Sequence, residues 1–392
     1  ADGMVRQLAS SAGCSDVCDQ RPVMPGAPFR IAETMTKVSI CVPAYKQVEF
    51  LRMTLASVAE QNFQDYEIIV SDDSPNDDVE RLVGEFDFGD RLRYVRNPEA
   101  LGSPRNWNAA LALAQGEYLK ILHHDDHFSH AGALGRFVAL LDNNPEALFA
   151  FSGTTVQNVE DGSSRHHRIS EAQAQSLSLM PEQLFMGNSI GAPSATIVRR
   201  SLSLDYDPRM KWLVDLDYYI RALQVCRSFA YTADPLITTP TSAAHQVTEL
   251  VRDNAAVDIG EALILFEKCL DQLKTNPDAQ EIWIRLLRKY KVRSAGQLSS
   301  FGRVSVALQS YFDELYQTPR LRPFRSEMTD AARMLLRPHI SQSLFASLSH
   351  GRHLGRVTRN HAIAALSRLY FALPPGFRDT WRSVKRSLRN PD

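Results

Sequence analysis

The 392-residue chain is 44 % hydrophobic and 23 % charged, with 19 Gly and 20 Pro, a balance that excludes collagen-like, wholly disordered and disulfide-scaffold proteins. Its length accommodates two or three domains at roughly 100–200 residues each, and no uncharged apolar run reaches the ~18 residues of a membrane-spanning helix. The net charge of −1 hides an asymmetry, because residues 1–280 hold 24 Lys/Arg against 38 Asp/Glu and residues 281–392 hold 20 against 7.

A basic half of this kind faces phosphate or an anionic membrane, or else packs on the acidic half of its own chain. The first residues lack the continuous apolar stretch of a secretory signal, so a cytoplasmic location is expected. The five cysteines, Cys14, Cys18, Cys41, Cys226 and Cys269, are scattered. Cys14 and Cys18 have no matching Cys or His pair nearby, which argues against zinc there.

In chain order, residues 1–34 show no sustained period and cluster Ser, Gly and Pro, so they read as a mobile extension. The run Lys37–Pro43 predicts a buried strand, and the spacing of Phe50, Leu51, Leu55 and Val58 predicts a helix over 48–61. Tyr66–Val70 predicts a second strand, closed by Ser71-Asp-Asp-Ser-Pro75. A helix through Val79, Leu82 and Val83, a strand at Leu92–Val95, a helix from Trp107 to Ala114 and a strand at Tyr118–Leu122 follow. This alternation predicts an α/β domain with a mainly parallel sheet, whose ligands sit beyond the carboxyl ends of the strands. Next come a helix over 131–141, a strand over Leu148–Thr155, a polar loop over 157–176, a strand at Thr196–Val198 and a helix over Leu216–Leu223. After residue 250 the pattern is helical throughout, with stripes at Ile259, Leu263, Phe266 and Leu270, then Ile282, Leu286, Leu287 and Tyr290. Further helices are expected near 303–316, 327–337 and 355–371.

Chemistry-bearing residues concentrate after the predicted strands. No dinucleotide G-x-G-x-x-G loop and no P-loop occurs, so a bound nucleotide diphosphate would need a metal to offset its charge. The cluster His123-His-Asp-Asp-His127 follows a strand directly; its adjacent carboxylates suit Mg²⁺ or Mn²⁺, and a plain polar turn is the competing reading. A zinc site from its histidines is disfavoured, since i, i+4 residues share a face only on a helix. Gly187-Asn-Ser-Ile-Gly191 matches a nucleophile elbow around Ser189, but the strand-then-helix context that motif needs is missing. Asp215 and Asp217 stand at the front of a helix, either as dipole-favoured caps or with one as a general base.

Taken together, Lys37-Val-Ser-Ile-Cys-Val-Pro-Ala-Tyr45, Glu67-Ile-Ile-Val-Ser-Asp-Asp-Ser74, Gly116-Glu-Tyr-Leu-Lys-Ile-Leu122, Asp125-Asp126 and Asp215-Leu-Asp-Tyr-Tyr-Ile-Arg221 resemble the inverting family 2 glycosyltransferases of the GT-A fold. The resemblance covers about residues 36–250. It implies a GT-A domain, which together with the readings above divides the chain into a mobile extension at 1–34, the GT-A domain at 35–250 and a basic helical region at 251–392. It also implies transfer of a sugar, with inversion, from a UDP-, GDP- or dTDP-linked donor with a divalent Mg²⁺ or Mn²⁺. Carried over position by position, Pro43 and Tyr45 would border the base, and Asp73, with Asp72 beside it, would bond it. Arg105 would approach the nucleotide, Asp125 would reach ribose or metal, Asp126 would ligate the metal, and His245 would close over the diphosphate. Asp215 would deprotonate the acceptor.

The chain departs from the family's usual pattern at His123, where many members have a third Asp. A catalytically degenerate nucleotide-sugar-binding module, and a serine hydrolase using Ser189, are the rival functions. The acceptor implied is a glycan or lipid-linked glycan of bacterial surface polysaccharide assembly, met at the inner face of the cell membrane. Trp381 among Arg378, Arg382, Lys385, Arg386 and Arg389 suits an anionic bilayer interface; a helical bundle that packs on the catalytic domain or forms a homo-oligomer is the other reading. No nucleic-acid motif is present.

Overall fold

The computed structural model describes residues 36–226, 228–241, 251 and 253–321. The expected extension at 1–34, His245 and the basic segment with Trp381 lie outside these residues. A sheet is built from β1 (Val38–Ala44), β2 (Tyr66–Asp72), β3 (Leu92–Arg96), β4 (Tyr118–Ile121), β5 (His127–Phe128), β6 (Phe149–Asn158), β7 (Ser164–His167), β8 (Thr196–Arg199) and β9 (Ala230–Thr241). Its order is β3-β2-β1-β4-β8-β6-β9-β5, with β7 paired to β6.

The ladders among β1, β2, β3 and β4 are parallel, as the alternation of strands and helices requires. Beyond β4 the sheet is mixed, because β8 pairs antiparallel with both β4 and β6 while β6 and β9 run parallel. The expected polar loop at 157–176 is instead β7 followed by the start of a helix. Residues Ser164–His167 carry no apolar alternation, and they form a strand because the end of β6 gives them a hydrogen-bonding partner. The twelve-residue β9, unforeseen in the sequence, is bent against β6 by register shifts around Gly153. A Cβ at Gly153 would stand 2.5 Å from the Ala233 carbonyl oxygen, so only glycine lets the two backbones meet there.

The helices α1 (Val48–Ala59), α2 (Asp78–Val83), α3 (Arg105–Ala112), α4 (Ala133–Asp142), α5 (Glu171–Leu179) and α6 (Val214–Val225) cover the sheet. One apolar layer joins Leu51, Leu55, Val79, Leu134 and Phe137 of α1, α2 and α4 to the Val38, Ile40, Val42 face of β1. The opposite layer starts from Cys41, Ile69, Ile121 and Phe149 and passes through Tyr218 and Tyr219 of α6. It continues without a break into α7 (Ala255–Lys268), α8 (Pro277–Lys289) and α9 (Val306–Leu315), with the single turn Leu270–Leu273 between the first two. Trp283 of α8 is fully buried, its ring 5.5 Å from Phe266, 6.2 Å from Phe185 and 4.7 Å from Phe312.

The described C-terminal helices therefore share the core of the sheet. Residues 253–321 hold nine Lys/Arg and nine Asp/Glu, whereas residues 322–392 hold 13 against 4 and carry most of the basic excess of the C-terminal half. Among the described residues no helix is long and apolar enough to cross a membrane.

Candidate active site

β1, β2 and β4 run parallel and in step, with Ala44 opposite Asp72 and Cys41 opposite Ile121. The polar segments that follow them therefore gather at one sheet edge, where open α/β folds hold ligands. After Pro43 the chain turns through the exposed Tyr45 and through Lys46 and Gln47, both at positive φ (56° and 46°), before α1 begins. Lys46 donates its N–H to Ser74 Oγ at 2.7 Å, which ties this turn to the one after β2.

The acids of the second turn are buried and engaged. Asp72 accepts from the Ser74 N–H and the Tyr94 hydroxyl, each at 2.8 Å. Asp73 accepts from Asn97 Nδ2 at 2.8 Å, Leu101 N at 3.1 Å and Gly102 N at 2.8 Å. It thus anchors the loop that leads to Arg105, which is exposed at the start of α3. Asn106 beside it is buried and donates to the carbonyl oxygens of Ser71 (3.0 Å) and Ala44 (3.3 Å), pinning the ends of two strands.

Beyond β4, His123, Asp125 and Asp126 form a group whose ligand atoms all lie within 4.8 Å of one another. His123 Nδ1 is 3.9 Å from Asp126 Oδ2, its Nε2 is buried without a hydrogen-bond partner, and its ring lies 4.5 Å from that of Trp107. Burial pushes the His123 imidazole down to about 4, despite the opposing pull of Asp125, so the ring is neutral and able to ligate. Burial, with the Asp125 charge adding to it, pushes Asp126 up to about 7. A neutral imidazole with two carboxylates in reach is a donor set that fits a divalent cation, and the orphaned Nε2 is the kind of atom such an ion or its water would satisfy.

Three residues that the sequence did not single out hold this group. Thr54 of α1, fully buried, places its hydroxyl 2.9 Å from the His124 carbonyl oxygen and 2.7 Å from that of Asp126. Ser194 accepts the His123 N–H at 2.9 Å. Lys120, buried inside β4, donates to the carbonyl oxygens of Ile121 (3.1 Å) and Ser194, with its ammonium 4.6 Å from the centre of the Phe137 ring. Burial pulls the Lys120 amine down to about 7, partly offset by Asp126.

Asp215 lies in the first turn of α6, where its Oδ1 accepts the Leu216 N–H at 2.9 Å and its Oδ2 accepts from Asn188 Nδ2 at 2.9 Å. Burial raises its pKa to about 7, with Glu261 adding to the rise and the hydrogen bonds from Leu216 and Asn188 opposing it. Tyr219, one turn along α6, donates to the Gly191 carbonyl at 3.1 Å. Its phenol is pushed well above its ordinary value, first by burial and then by charges that include both Asp215 and Asp126. The two acids therefore act on one common region. Asp217, by contrast, is a structural ion-pair partner of Arg221 and Lys268.

Asn188 belongs to the Gly187–Gly191 stretch. That stretch is a loop feeding the single-turn helix Pro193–Ala195 and then β8, so Ser189 has neither the strand before it nor the helix after it that a nucleophile elbow requires. The loop instead supplies the amide that meets Asp215. Of the expected site residues, Pro43, Tyr45, Asp72, Asp73, Arg105, Asp125 and Asp126 fall at the edge formed by β1, β2 and β4, and Asp215 lies in the first turn of α6; His245 lies outside the described residues.

Residues 39–206 match the model of glycosyl transferase family 2. An uncharacterized protein of Mycobacterium tuberculosis (strain CDC 1551 / Oshkosh) is 27 % identical over 262 residues, covering 63 % of this chain and 80 % of its own. The GalNAc(5)-diNAcBac-PP-undecaprenol beta-1,3-glucosyltransferase of Campylobacter jejuni is 36 % identical over 102 residues, covering 26 % of this chain. The present chain spans only 33 % of that enzyme's length. Among solved structures, S. aureus TarS 1–349 in complex with UDP-GlcNAc aligns with a TM-score of 0.49 and 16 % identity, over 90 % of this chain and 91 % of that one.

Proposed function

The chain belongs to glycosyl transferase family 2, and on that premise we propose that it moves a sugar, with inversion, from a nucleotide-diphosphate donor to a glycan or lipid-linked glycan acceptor. The observation that supports this reading is the pair of carboxylate centres, Asp126 with Asp125 and His123 after β4 and Asp215 on α6, whose charges both raise the Tyr219 phenol.

The roles follow from the chemistry of each centre. The donor's nucleotide rests on the turns after β1 and β2, with Tyr45 exposed beside the buried Asp72 and Asp73 and with Arg105 at the entrance to α3. His123, Asp125 and Asp126 would hold a divalent cation; the imidazole in the set favours Mn²⁺ over the strictly oxygen-preferring Mg²⁺. Such an ion, when bound, offsets the charge that develops on the departing diphosphate. Asp215 takes the proton of the acceptor hydroxyl at a carboxylate oxygen. The freed oxygen attacks the anomeric carbon as the bond to the nucleotide diphosphate breaks, and a single displacement inverts that centre. A carboxylate whose pKa is raised to about 7 is a stronger base than an ordinary one and is still half ionised at neutral pH.

The acceptor is proposed as lipid-linked. The Campylobacter relative acts on an undecaprenol-linked glycan, and 13 Lys/Arg against 4 Asp/Glu in residues 322–392 suit the anionic inner face of a cell membrane. Salt-sensitive co-sedimentation with anionic vesicles, lost on removing 375–392, is the expected result for that part; no binding at low salt overturns it.

The central test is a screen of UDP-, GDP- and dTDP-sugars by thermal shift with and without Mn²⁺, followed by transfer assays. Donor binding that needs Mn²⁺, together with turnover abolished in Asp215→Asn, is expected. Donor binding with no transfer to any glycan acceptor would instead make the protein a nucleotide-sugar-binding module, the outcome that the His123 departure favours.

A further inference from the structure

The helix α7 lies outside residues 39–206, the part that matches the family model, yet it reaches the turn that presents Asp215. Glu261 of α7 is buried. Its Oε1 accepts the N–H of Lys211 at 2.8 Å, and its Oε2 accepts those of Trp212 and Leu213, each at 2.8 Å. These three donors are the backbone amides immediately before α6, whose first residues are Val214 and Asp215. One carboxylate thus fixes three consecutive peptide units and, through them, the point at which α6 starts. Seven residues on, two turns along the same face of α7, Lys268 pairs with Asp217 of α6 and with Asp207 at 2.8 Å. The start of α6 is clasped at the three amides before it and again at Asp217 in its first turn.

We propose that Glu261 is the positioning residue for Asp215, and that α7 belongs to the catalytic unit. The inference rests on the reading of Asp215 as base. A buried carboxylate is costly to hold in a core unless its oxygens are occupied, and here every partner is a backbone N–H of a single turn. Nothing in the packing of α7, which Ile259, Leu263 and Phe266 already provide, requires an acid at this place. Trp212, held by the same carboxylate, is left exposed next to the base. With the three amides released, that turn would move, and a displacement of about 1 Å at a reacting group costs on the order of 10²-fold in rate.

The test compares Glu261→Gln with Asp215→Asn in the full-length protein. Glu261→Gln keeps the size of the side chain but replaces one accepting oxygen by an NH₂ facing N–H donors. The expected result is a kcat lower by ~10–10²-fold, with the donor KM unchanged because the donor turns are elsewhere in the fold. The acidic limb of the kcat–pH profile should also move to lower pH. Asp215 is faced by Glu261 from α7, by the Asn188 amide and by the phenols of Tyr206 and Tyr219; of these Glu261 adds to the rise in its pKa, so removing that charge lets it fall. A merely structural loss would lower kcat at every pH and leave the limb where it is. If Asp215→Asn is inactive while Glu261→Gln has wild-type kcat and an unmoved limb, the inference is overturned and the base assignment stands. If Asp215→Asn keeps normal turnover, the base assignment itself fails. Should Glu261→Gln not fold, the assay is run on Glu261→Asp, which keeps the charge but shortens its reach: a reduced kcat at unchanged donor KM supports the proposal, and an unchanged kcat overturns it.

Discussion

Asn188 donates a hydrogen bond of 2.9 Å to Asp215 Oδ2, while its own Oδ1 accepts the N–H groups of Ile190 (3.0 Å) and Gly191 (2.8 Å). The amide is thus locked by its loop with the NH₂ turned toward the acid, and it favours the ionised form of Asp215 against the burial that opposes it. Replacing Asn188 by Ala removes a bond to a charged acceptor. The Asp215 pKa should rise by about one unit, the equivalent of ~1.4 kcal/mol, and the acidic limb of kcat should move to higher pH. A pH–rate profile that stays in place would separate Asn188 from the base.

Asp215→Asn should lower turnover by ~10²–10⁴-fold while leaving donor affinity intact in a calorimetric titration. The same variant carries a stability signature. With the folded pKa raised to about 7, the unfolded chain loses its proton first as pH rises from about 4, so the acid destabilises the fold increasingly up to pH 7. The variant should therefore melt above the wild type at pH 8, and the two should converge near pH 4.

Asp126→Ala should abolish the Mn²⁺ dependence of donor binding, read as a thermal shift that no longer responds to the ion. His123→Ala should weaken the response without removing both carboxylates, a graded loss that a purely structural His123 would not give.

Trp283→Ala removes a fully buried indole between Phe185, Phe266 and Phe312. The expected cost is ~3–5 kcal/mol, measured by denaturant unfolding. Gly153→Ala places a methyl group 2.5 Å from the Ala233 carbonyl oxygen and should cost ~1–3 kcal/mol through the forced separation of β6 and β9.

The parallel half of the sheet was legible because β1, β2 and β4 are short apolar runs, each ending at a polar turn, and Asp72, Asp73, Asp125 and Asp126 were legible as the acids in those turns. Asp215 was legible as an acid at the front of a helix. β9 was not, since Asp234-Pro235 interrupts its apolar pattern at the very place where the strand bends over Gly153. The supporting residues were silent for a different reason. Thr54 meets Asp126 across 72 residues, Asn188 meets Asp215 across 27, and Glu261 meets Trp212 across 49; partners set by the tertiary fold leave no local period or spacing to read.

The apolar layer that runs from Cys41 and Phe149 through Tyr218 to Trp283 and Phe312 has a practical meaning for anyone trimming the chain. A fragment ending at residue 206 would lose α6 and Asp215. One ending at residue 250 would keep all the strand-end acids but lay bare the face of Phe185 that packs on Phe266 and Trp283, and would lack the carboxylate that steadies the start of α6. Such a fragment is expected to aggregate on expression and to be recovered only with residues 253–321 supplied. Kinship by sequence and cooperativity in folding thus have different borders in this molecule, and the second lies more than a hundred residues further along.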